Sequence, residues 1–215
     1  MKKLLFLAIT ALFLQPVFSQ SEKYMGAMKK NIAEIDSIFK SNEMNRLNDI
    51  AATFERIGDA EKTQWLPYYY AAYCQVTLAY VKNEVANNDI IADKVDQLIA
   101  KAEALQPKNS ELSLLKAMNT SLRMLVNPMQ RWQQYGPKVQ QYTQDAMTQD
   151  PTNPRPRYFS GVSLKNTPEQ FGGGCGTAKP IFDKALELYA AFKPASDIHP
   201  NWGLQVCQRE AEGCK

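Results

Sequence analysis

Lys94-Val95-Asp96-Gln97, Ala102 and Pro107-Lys108-Asn109 recur as Lys138-Val139-Gln140-Gln141, Ala146 and Pro151-Thr152-Asn153, at an offset of 44 residues. Ten residues past each proline stands a small residue, Ala117 and then Gly161. Self-similarity at one spacing marks stacked units, each too small to bury its apolar face alone. Around the echo, apolar residues recur at helical spacing. Met25, Met28, Ile32, Ile35 and Ile38 form one stripe along residues 22–40. Further helices are expected at 42–57, 61–82, 90–105, 110–125, 128–148, 154–165, 177–192 and 202–212. Asn42, Asp89, Asn109 or Ser110, and Thr177 are the expected N-caps. Gly58 is expected to stop the second helix, and Gly136-Pro137 to break or kink the sixth. Alternating apolar runs flanked by hairpin turns are absent, so the chain reads as all-α.

The repeated residues resemble the tetratricopeptide repeat (TPR), a helix–turn–helix unit of 34 residues. In that family a small residue sits on the first helix, and a small residue on the second precedes a terminal proline by five positions. Ala102 with Pro107, and Ala146 with Pro151, match the second element, while Ala117 and Gly161 match the first. Ala178, Phe182 and Ala185 match the second helix of a final unit. The resemblance implies antiparallel helical hairpins stacked as a short TPR-like α-solenoid. Three pairs would occupy residues 63–193, after an N-terminal hairpin at 20–62 and before a C-terminal helix and tail at 194–215. Residues 20–215 would form one domain. The sequence departs from the family in its period of 44, in Val95 and Val139 at a normally small position, and in the distance from Ala185 to Pro194.

Lys2 and Lys3 followed by the apolar run from Leu4 to Leu14 read as a secretory signal peptide, cut after Ser19. No later stretch is long and apolar enough to predict a membrane span. The whole chain carries 25 basic and 22 acidic residues, and losing Lys2 and Lys3 reduces the excess to one. No basic stripe suggests nucleic acid as a partner. An exported protein, periplasmic or secreted, permits disulfides. Cys74 lies among apolar helix residues and reads as a buried thiol. Cys175, Cys207 and Cys214 crowd the C-terminal region, where one bridge could tie the glycine loop to the last helix. Cys207 and Cys214 cannot pair within one unbroken helix, because seven residues rise about 10 Å.

The loop Gly172-Gly173-Gly174-Cys175-Gly176-Thr177 invites a phosphate-binding reading, but the Gly-Lys-Ser/Thr ending of a P-loop is missing. A Cys175 nucleophile would need a base, and His199 is the sole histidine. One histidine and no Cys-x-x-Cys provide no zinc-site spacing. Glu34 and Asp36, two apart on a helix, do not face each other, and Asp145 and Asp150 read as solvated. The expected protein is therefore not an enzyme and holds no cofactor or metal.

If first helices line a concave face, Tyr69, Tyr73, Leu114, Met118, Tyr158 and Val162 point along one groove, flanked by Arg155 and Lys165. Tyrosine and arginine suit binding hot spots, although aromatics equally fill a core. The leading expectation is a non-enzymatic exported scaffold that binds a polypeptide partner in the cell envelope. The alternative is a small-ligand binder, such as an accessory subunit of periplasmic solute uptake. It rests on the final unit's resemblance to helical-repeat proteins of solute transporters.

Overall fold

The computed structural model describes residues 21–214, so the signal peptide expected at 1–19 lies outside the described residues. Among those described, the order is α1 (Glu22–Ser41), α2 (Leu47–Glu61), α3 (Leu66–Lys82), α4 (Asn88–Leu105), α5 (Ser110–Leu125), α6 (Pro128–Gln149), α7 (Arg155–Lys165), α8 (Cys175–Ala191) and α9 (Leu204–Glu212). Short 3₁₀ turns precede α2, α4 and α8, and no strand occurs among the described residues. The all-α reading is correct. Each helix packs on the next, and α5 also touches both α3 and α7. None of these helices is long and apolar enough to cross a membrane.

Helix α3 is buried almost all round, from Leu66 through Ala79, so it forms the centre of the main core. A second core cluster joins α8 to α9 through Phe182, Ala185, Tyr189, Cys207 and Ala211. The echoed small residues lie where helices meet. Ala102, Ala117 and Ala146 are wholly buried. At Gly161 an added Cβ would stand 2.5 Å from the Phe182 ring.

Several helix ends differ from expectation. Asn42 caps the C-terminus of α1 in the left-handed conformation, and does not open α2. Gly58 lies inside α2, which continues to Glu61. Its missing side chain admits the Tyr68 ring, whose Cε1 lies 2.7 Å from the Cβ position. Helix α6 runs unbroken through Pro137. The preceding Gly136 has no Cβ for the proline ring to strike, which relieves part of the usual clash. At α8 the cap is Gly174, at φ 89°, and not Thr177. The glycine run thus serves backbone geometry: the N–H of Gly174 reaches the Leu164 carbonyl at 2.9 Å.

Cys175, at the start of α8, is disulfide-bonded to Cys214, just after α9. Cys74 and Cys207 are free, buried thiols. Between α8 and α9 residues 192–203 have no regular structure, yet they cross the front of α3. Tyr70 donates its hydroxyl hydrogen to the Ile198 carbonyl at 3.0 Å, and Lys29 pairs with Asp197 at 2.7 Å. That crossing segment shapes the site.

Candidate functional site

Asn109 and Asn153, members of the echo, open successive helices. Asn109 Oδ1 accepts the N–H groups of Glu111 and Leu112, capping α5. Asn153 Oδ1 accepts the Arg155 N–H at the start of α7. Its Nδ2 donates to Glu111 Oε1 at 2.6 Å and to Ser110 Oγ at 3.0 Å. Arg155 adds two bonds to the same Glu111 oxygen, from Nε at 2.8 Å and Nη2 at 2.5 Å. The other carboxylate oxygen accepts the Tyr69 hydroxyl at 3.0 Å. That hydroxyl in turn accepts the Trp202 indole N–H at 2.8 Å. The Glu111 and Arg155 side chains are only 10% and 2% exposed, so this network is a buried ion pair with its lone pairs used. Burial works against the Arg155 charge, but Glu111 outweighs it and holds the guanidinium above its ordinary range. Burial, with Glu111 beside it, pushes the Tyr69 hydroxyl far up, so it stays a neutral donor.

Directly in front of this network is a cavity of about 370 Å³. Trp65, at the head of α3, forms one wall. The turns opening α5 and α7 provide Lys108, Asn109, Thr152 and Asn153, and the floor is Glu111 and Arg155. The crossing segment closes it with Phe192, Lys193, Ala195, His199 and Pro200. The N-termini of three helices therefore converge on one mouth, where the helix dipoles favour an anion. Lys108 and Lys193 add exposed positive charge at the rim. The Arg155 guanidinium lies 4.6 Å from the Phe192 ring centre and 5.9 Å from that of Trp202. His199 is half-buried, edge-on to Trp65 with ring centres 6.0 Å apart. Burial lowers its pKa from the ordinary value against a weaker upward pull from Glu111, so the imidazole is neutral at pH 7. A second hollow of about 310 Å³, between α2, α3 and α4, is lined by Leu78, Ala79, Ile90 and Ile91 and has neither an aromatic ring nor a histidine.

The expected groove is not open. Tyr69, Tyr73, Leu114 and Met118 are buried in the main core. The crossing segment lies over the tyrosines: Trp202 stacks on Tyr73 at 4.8 Å and meets Tyr158 edge-on at 6.4 Å. Tyr158 and Val162 pack toward the α8–α9 cluster. Lys165 pairs with Glu210 at 2.8 Å, at the opposite end of α7 from the cavity. Of the expected set only Arg155 lines the cavity. Of the three C-terminal cysteines, Cys175 and Cys214 are paired and Cys207 is not.

Trp65, Lys108, Glu111, Asn153, Phe192 and His199 were missed as site residues, although one signal points to part of the set. Glu111 and Arg155 are 44 residues apart, the offset of the echo itself, and so occupy equivalent first-turn positions of successive units. Opposite charges at such positions predict contact between stacked helices. Nothing local in the sequence places residues 192–200 against them.

No family model matches the sequence, and a search among curated proteins finds no match. Among solved structures the chain is similar to the HusA haemophore from Porphyromonas gingivalis. The two are 33% identical, superpose with a TM-score of 0.80, and align over 92% of this chain and 95% of that one.

Proposed function

We propose that this chain, which belongs to the family of the HusA haemophore, binds haem in the cavity at the convergence of α3, α5 and α7. The observation that carries the reading is the cavity's make-up. A tetrapyrrole presents flat apolar faces, a pair of carboxylates at one edge and a metal at its centre. Trp65, Phe192 and Pro200 supply apolar surface, while Lys108 and Lys193 stand where carboxylates would meet cations. A volume of about 370 Å³ falls in the range of small-molecule sites.

This corrects the expectation of a polypeptide-binding scaffold. The overturning finding is the likeness to a protein named as a haemophore, a carrier of a small ligand. The groove invoked for a peptide is also filled by the chain's own Trp202. The alternative, small-ligand binding, is the better reading, and the activity is capture without turnover. We read α3 to α8 as three TPR-like hairpins within residues 63–193, supported by the contacts of α5 with α3 and α7. The hairpin at 20–62 and the tail at 194–215 complete one domain. Export, to the periplasm or beyond, is supported by the leader-like residues 1–19 and by the Cys175–Cys214 disulfide.

Haemin titrated into the purified chain tests the binding. Trp65 lines the cavity, so haemin is expected to quench tryptophan fluorescence to saturation at one equivalent, with a smaller amplitude in Trp65→Phe. Quenching that rises linearly without saturating would contradict the reading.

A further inference from the structure

We propose that the end of the molecule opposite the cavity docks on a bilayer of zwitterionic phospholipid, and that the hollow of about 310 Å³ there takes in a lipid acyl chain. Consecutive helices pack on one another through short connections and run in opposite directions, so their ends collect at two poles. The cavity gathers the starts of α3, α5 and α7 with the ends of α4, α6 and α8. The hollow gathers the other ends: the start of α2, the end of α3 and the start of α4. The start of α6 joins them. Arg131 holds the Asp89 carboxylate by two bonds, of 2.8 and 2.9 Å, and also reaches the Arg123 carbonyl, at the end of α5, at 2.9 Å.

Exposed apolar side chains are sorted between these poles. Phe39, Val81, Ile90, Met129, Trp132 and Phe171 stand on the turns and helix ends away from the cavity. Of the large apolar side chains exposed among the described residues, only Leu204 lies elsewhere, at the start of α9. Ile90, Met129 and Trp132 are 72%, 77% and 55% exposed, so none of them serves the core. The six project one or two to a connection, with polar residues between them. A folded protein partner buries one contiguous, close-packed patch, whereas a fluid bilayer admits separate apolar tips. Tryptophan in particular favours the level of the headgroups. Charge selects the kind of lipid. Lys82 and Glu84, at the rim of the hollow, are exposed and make no ion pair, so they complement a headgroup carrying both a phosphate and a quaternary ammonium. Elsewhere at this pole the unpaired charges are Lys40 against Asp49 and Glu169, so no basic excess recruits anionic lipid. Leu78, Ala79 and Ile91 give the hollow an apolar lining for the chain. With this pole on the lipid, the cavity faces solvent.

Flotation of the purified chain with phosphatidylcholine vesicles tests the docking, and tryptophan quenching by phosphatidylcholine brominated on its acyl chains reports the contact. Saturable binding that survives high salt is expected, with quenching that Trp132→Phe largely removes. Ile90→Ser/Trp132→Ser should weaken binding by about tenfold or more at an unchanged melting curve. Lys82→Gln/Glu84→Gln should weaken it by about threefold. Leu204→Ser, at the other pole, should leave it unchanged. Absence of vesicle binding by the wild-type chain overturns the proposal. So does binding that salt abolishes, or that Leu204→Ser weakens as much as the paired serine variant does. Self-association in sedimentation equilibrium, without vesicle binding and abolished by Ile90→Ser/Trp132→Ser, would assign this face to a second copy of the chain instead.

Discussion

Glu111 is the residue on which the polar interior depends. It neutralises Arg155, orders Asn153 and accepts from Tyr69, so removing it leaves a guanidinium buried without its charge partner. Glu111→Ala should therefore lower stability by about 3–5 kcal/mol, read as a fall in the denaturant midpoint at unchanged slope. Arg155 already has one buried nitrogen, Nη1, without a hydrogen-bond partner, and the Phe192 ring over the guanidinium offsets part of that cost. Gly161→Ala drives a Cβ into the Phe182 ring and should cost about 1–3 kcal/mol. A variant of unchanged stability would mean that α7 and α8 can separate freely there. Thiol chemistry offers a third check. Burial, followed by Glu210 and Asp183, pushes the Cys207 thiol up to about 11, and burial alone raises Cys74 further. Titration with a thiol reagent at pH 8 should find both inert in the folded chain. Unfolding without reductant should then expose two thiols per chain.

Among the elements, the segment between α8 and α9 does the most with the least regular structure. Trp202 stacks on Tyr73, donates to Tyr69 and lies within cation–π range of Arg155, so the segment closes the core as well as the cavity. At Gly203 a φ of 107° and the Tyr189 hydroxyl, 2.0 Å from the Cβ position, show how tightly it is seated. Trp202→Ala should cost about 3–5 kcal/mol in equilibrium unfolding. The helices flanking it, α8 and α9, are tied at their other ends by the Cys175–Cys214 bridge, which spans 39 residues. Reduction should cost about 4 kcal/mol on chain-entropy grounds and lower the melting temperature. An unchanged melting curve in Cys175→Ser/Cys214→Ser would show that α9 needs no tether. The helices themselves were legible, because apolar stripes and Asn or Ser caps act locally. Their ends were less so. Gly58 and Pro137 read as breakers in sequence, but Gly58 serves the Tyr68 ring and Gly136 eases the proline into α6. Both outcomes depend on neighbours that sequence spacing does not reveal.

At the scale of the whole molecule, the 44-residue echo was legible because it repeats the small contacts that let helices approach. The candidate site was not, because it is assembled from caps and a tail. Trp65, Lys108, Asn153 and His199 come from four separate connections, and only the stacking of α3, α5 and α7 brings them to one mouth. Tyrosines chosen for a groove proved to be its filled interior, since an aromatic stripe reads alike whether solvent or another segment covers it. Haem capture rests on where a porphyrin sits. Amide and indole NMR shifts during titration with diamagnetic gallium protoporphyrin measure that directly. Changes centred on the Trp65 indole and on Lys108, Asn109, Lys193 and His199 are the predicted result. Shifts centred instead on Leu78, Ile90 and Ile91, or no saturable shifts at all, would contradict it.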